Sequence, residues 1–181
     1  MRYTRDLFQT ATDRVFDTAC WNLRTDGFIV EHLMGMSADG TPELCFLNVT
    51  GADEDHARAL VGKETRIVTQ PLQDLTDMIR AGFALRAVRS AIYVVRTTLP
   101  LAGQDDHPAQ VADTVLTVGA WPAEIVSHVR FAAIEQDPHG RLHPASPPPG
   151  TTRYGPTIRT LVLMEDWVFG LVPDDKLDST V

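Results

Sequence analysis

The chain has 181 residues, and its reactive groups are 6 histidines, 2 cysteines and 24 carboxylates. His139 and His143 lie four residues apart with Asp137 nearby. On a helix that spacing turns two imidazoles to one face, the arrangement of a metal-ligand pair. Pro138, Gly140 and Pro144 exclude a helix there, so a metal would need a loop site completed by His107, His128, Asp105 or Asp106. Nothing in the spacing demands such a site, and exposed turn histidines are the simpler reading. Cys20 and Cys45 have no electropositive neighbours in sequence to activate them, and no CxxC spacing exists. They read as two buried, reduced thiols. No Gly-x-Ser-x-Gly elbow is present, and a dispersed triad leaves no spacing to read.

Paired carboxylates occur at Asp53-Glu54-Asp55, Asp105-Asp106, Glu165-Asp166 and Asp174-Asp175. Such pairs can hold Mg²⁺ or act as acid and base, but charge runs are usually solvated turns. Glu165-Asp166 stands out because it interrupts an apolar run between Met164 and Trp167, where a bulge or hairpin turn is expected. Neither phosphate-binding glycine motif is present, which argues against a standard nucleotide loop. No cofactor is expected. The remaining candidates are Trp21, Trp121 and Trp167, large groups suited to anchoring a partner or a core.

Composition narrows the class. Hydrophobic residues make up 44% and charged residues 22%, as in soluble globular domains. Against 24 acidic residues stand 16 basic ones, a formal charge of −8 that repels phosphate backbones and favours a basic partner over nucleic acid. No stretch approaches the roughly 20 apolar residues of a membrane span, and the amino-terminal pattern is amphipathic, not a signal core. A cytoplasmic protein without a membrane partner is expected, and in it the sequon Asn48-Val49-Thr50 has no consequence.

The elements that would position these groups follow from periodicity. Leu7, Phe8, Ala11, Val15, Phe16, Ala19, Cys20 and Leu23 predict a helix over 4–24, capped by Thr4 and stopped at Asp26-Gly27. Apolar runs at 28–36 and 43–49 around Asp39-Gly40 predict a hairpin. A short helix is expected over 53–61 and a better one after Pro71. Strands are expected over 87–97, 124–135 and 158–169, with 111–118 open between strand and helix. A polar loop is expected around 103–108. The proline-rich stretch 144–156 reads as an irregular loop and 173–181 as a frayed acidic tail. The expectation is one α+β domain over 1–172: a single antiparallel sheet of about five strands, an N-terminal helix and a crossover helix.

That element order is similar to profilin-like and roadblock-type domains. Four segments also loosely resemble a set of small bacterial proteins with no assigned activity. They are Arg24-Thr25-Asp26-Gly27, the run from Ala87 to Val95, His107-Pro108, and the run from Phe131 to Asp137. The chain departs from that set at Val95-Arg96-Thr97, where a Glu-Ala-Trp step is expected. The resemblance implies a fold and no activity.

The functional expectation is a non-catalytic protein–protein interaction or regulatory module. It would be a homodimer, because apolar edge strands need cover, and would contact a basic partner through tryptophan. One alternative is an enzyme with a dispersed site, such as metal-assisted hydrolysis through His107, His139 and His143. Another is a small-molecule-binding protein with a cavity between helix and sheet.

Overall fold

Thr4 begins the first helix as its type predicts, its Oγ1 accepting the Leu7 N–H at 3.4 Å. The helix, α1, spans Arg5–Asp26 and ends where Gly27, at φ 77°, turns its N–H back to the Leu23 carbonyl. A computed structural model describes residues 3–49, 64–100, 111–145, 164 and 167–168. The expected 53–61 helix, the 103–108 loop, most of the proline-rich stretch and the 173–181 tail lie outside the described residues.

Strands β1 (Glu31–Met36) and β2 (Pro42–Asn48) form the expected hairpin. Its turn is set by Asp39, whose carboxylate accepts the Ser37 hydroxyl at 2.6 Å and the Thr41 N–H at 3.0 Å. These bonds hold its pKa down to about 2. Strand β3 (Thr65–Val68) follows, then a 3₁₀ turn (Leu72–Leu75), then α2 (Thr76–Leu85). Four strands follow: β4 (Ser90–Pro100), β5 (Val111–Trp121), β6 (Val126–Gln136) and β7 (Leu142–Ala145).

The class is α+β, and the strands form one open sheet in the order β3-β2-β1-β4-β5-β6-β7. Three expectations are corrected. The sheet has seven strands, not about five. It is mixed, because β3 runs parallel to β2 while every other pair is antiparallel. Of the expected 158–169 strand, the described residues Met164, Trp167 and Val168 are helical and buried in the core, not strand. The undecided 111–118 segment is strand.

Period-2 alternation assigns the two faces. Ile92, Val94, Val115 and Ala132 meet α1 through Phe8, Phe16, Ala19 and Cys20. Leu33, Phe46, Tyr93, Leu116 and Val118 meet α2 and Trp167 on the other face. Each helix is admitted at a glycine. A Cβ on Gly119 of β5 would lie 2.5 Å from Thr12 Oγ1 and 2.8 Å from the Phe8 ring of α1. One on Gly35 of β1 would lie 2.6 Å from the Phe83 ring of α2. Gly119→Val should therefore lift α1 and cost about 1–3 kcal/mol, read as a lower midpoint in thermal or urea unfolding. An unchanged midpoint would contradict this packing.

Candidate functional site

Glu31 is a charged residue inside an apolar run, and β1 begins with it. It shares the α2 face with Leu33, and Asn48 stands opposite it on β2. Removing a carboxylate from water costs several kcal/mol unless donors replace the water. Here they come from three elements. The Tyr93 hydroxyl of β4 donates a short hydrogen bond to Oε1. Asn48 Nδ2 donates to Oε2 at 2.7 Å. The Leu72 backbone N–H, entering the 3₁₀ turn, lies 3.3 and 3.4 Å from the two oxygens. Burial, then the neighbouring Glu31 charge, push the Tyr93 phenol far above its ordinary range, so it stays an O–H donor.

The Tyr93 ring is itself held. It stands edge-on to Trp167 at 5.3 Å between centroids. The Trp167 indole N–H donates to Thr76 Oγ1 at 3.1 Å, at the start of α2. The carboxylate, the phenol and the indole thus tie together β1, β2, β4, α2 and the helical residues near 167.

A cleft of about 340 Å³ opens beside Glu31. Phe28, Glu31, Asn48, Gln73, Tyr93 and Arg96 border it. Arg96 is engaged by Asp113 of β5: Nε lies 3.1 and 3.0 Å from the two carboxylate oxygens and Nη2 2.5 Å from Oδ2. That hydrogen bonding raises the guanidinium pKa further. This arrangement has the size of a small-molecule site, with polar groups converging on one end. A second, more open groove of about 710 Å³ lies between the end of α1 and the β6–β7 turn. It is bordered by turn residues and exposed Arg24 and Arg141, with no buried polar group aimed into it.

The residues singled out in the sequence fall elsewhere. His139 is exposed in the β6–β7 turn, where its N–H and that of Arg141 donate to the Asp137 carboxylate at 2.8 and 2.9 Å. His143 stands on β7 opposite Glu135. Among the described residues no three His, Cys, Asp or Glu side chains gather to hold a metal. His107, Glu165 and Asp166 lie outside the described residues. Trp121 and Trp167 are 6% and 0% exposed, so neither is a surface anchor; both fill the core, and only Trp21, 60% exposed on α1, faces solvent. Burial raises both thiols, Cys45 to about 11, which leaves them poor nucleophiles.

One ion cluster joins α1 to the sheet. Asp13 Oδ1 accepts from His128 Nε2 at 2.9 Å and Arg130 Nη1 at 2.6 Å, and Arg130 stacks over the Phe16 ring at 4.9 Å. Partial burial pushes Asp13 up, but these two hydrogen bonds together outweigh it and its pKa is lowered. A lowered carboxyl stabilises the fold above its unfolded pKa, and that support is lost as pH falls through the folded value. Asp13→Asn should cost up to about 1 kcal/mol near neutral pH, given solvent screening at a half-exposed pair, and progressively less at an acid pH below the folded Asp13 value. Urea unfolding at both pH values checks this, and a pH-independent difference would contradict it. Compared with protein-family models, curated proteins and solved structures, the chain gives no match in any of the three.

Proposed function

We propose that the protein is a non-catalytic binding protein that holds a small polar molecule in the cleft beside Glu31. The observation that carries the reading is the half-buried Glu31 carboxylate with its three fixed donors. Its donors are fixed by the sheet, by the 3₁₀ turn and by Trp167 through Tyr93, so the recognising group is set before any ligand arrives. A preorganised polar end in a cleft of about 340 Å³ suits recognition, and no adjacent nucleophile or metal-binding group accompanies it among the described residues.

Thr97 lines the same cleft and is only half-buried, so a larger side chain there should fill the space without entering the core. Thr97→Trp should keep the wild-type unfolding midpoint and abolish binding of small polar fragments detected by ligand-observed NMR. Fragment binding that survives Thr97→Trp would place the site elsewhere.

A second reading, contact with a basic protein or a second copy of the chain, rests on Trp21, whose 60% exposure on a helix is unusual for a group of its size. It predicts a dimer or complex in sedimentation that Trp21→Ala weakens. A monomer at high micromolar concentration, with no partner captured through Trp21, would contradict it.

A further inference from the structure

We infer that the ligand of the Glu31 cleft is a small organic cation, an amine or quaternary ammonium; the inference rests on the cleft being the binding site. The charge balance around Glu31 carries it. Its hydrogen-bond donors, the Tyr93 hydroxyl, the Asn48 amide and the Leu72 N–H, are all neutral. They satisfy the oxygens as acceptors and leave the negative charge uncompensated. Among the described residues Glu31 forms no ion pair. Arg96, the cation bordering the cleft, does not supply the missing charge, because Asp113 takes both Nε and Nη2. The Arg96–Asp113 pair is neutral overall, so among the described residues that border the cleft the net charge is that of Glu31.

Three further features fit a cation. A carboxylate offers about four acceptor positions, and three donors occupy it, which leaves room for one more N–H or for a diffuse positive head. Phe28 and Tyr93 border the same space, and aromatic rings attract ammonium groups, more strongly when both are shielded from water. The formal charge of −8 draws cations towards the protein and repels anions. The alternatives fit less well. A nucleotide or other phosphate would meet an unpaired carboxylate in a confined space. A divalent metal would need several oxygens free to coordinate, and Glu31 brings one carboxylate already engaged by donors.

The test uses four probes of similar size on the full chain: butylamine, butyltrimethylammonium, butanol and butyrate, titrated by NMR. The two cations should bind in the millimolar range, at least about tenfold tighter than butanol, with butyrate weakest. Cation affinity should fall as NaCl rises, while butanol affinity should not. Glu31→Gln should lower cation affinity about tenfold and leave butanol unchanged. If Glu31→Gln fails to fold, the wild-type order of affinities and its salt dependence decide the matter alone. Equal binding of all four probes, blocked by Thr97→Trp, would overturn the cation assignment and keep the cleft as the site. Cation binding that persists in Thr97→Trp, or no binding by any probe, would overturn both.

Discussion

The need to satisfy one half-buried carboxylate links the sheet to the cleft. Glu31 starts the strand on which the β1–β2 hairpin and the central strand β4 are both built. A charge at that half-buried position needs donors to replace the water it loses. Each donor brings its own element into place: Asn48 sets β2, Tyr93 sets β4, and the Leu72 N–H sets the turn that launches α2. Trp167 then closes over Tyr93 and bonds Thr76. The same residues that hold this end of the sheet also line the cleft.

The two faces of the sheet are organised differently. On the α1 face the helix comes close over Gly119, and a partly exposed ion cluster, Asp13 with His128 and Arg130, ties it down. On the α2 face contact is almost wholly apolar away from Glu31. The carboxylate is therefore the polar end of an otherwise apolar layer.

Much of the framework was legible in the sequence. The helical stripe from Phe8 to Leu23, the Asp39-Gly40 hairpin and the β-branched run around Tyr93 each carry a local signal that tertiary structure kept. The missed edge strands had little to read. Thr65–Val68 is four residues long, and Leu142–Ala145 contains Pro144, which a strand tolerates only at an edge. The run around Met164 and Trp167 is apolar on both sides of Glu165-Asp166, and a short apolar run does not distinguish a strand from a buried helix. Size alone makes a tryptophan a candidate anchor, but Trp121 and Trp167 fill the core, where their area is worth most. The site had one available signal: Glu31 is a lone charge within Phe28 to Met36. Which donors would reach it could not be read, because Asn48, Leu72 and Tyr93 are brought together only by the register of three strands and a turn.

The most direct measurement follows the Asn48 side-chain amide and the Leu72 backbone amide by NMR while a small quaternary ammonium ion is added. Both groups donate to the Glu31 carboxylate. The account predicts that the two resonances move together and saturate at the same ligand concentration, with little change near His128 on the opposite face. Saturable shifts confined to other residues, or no shift of these two amides, would contradict it.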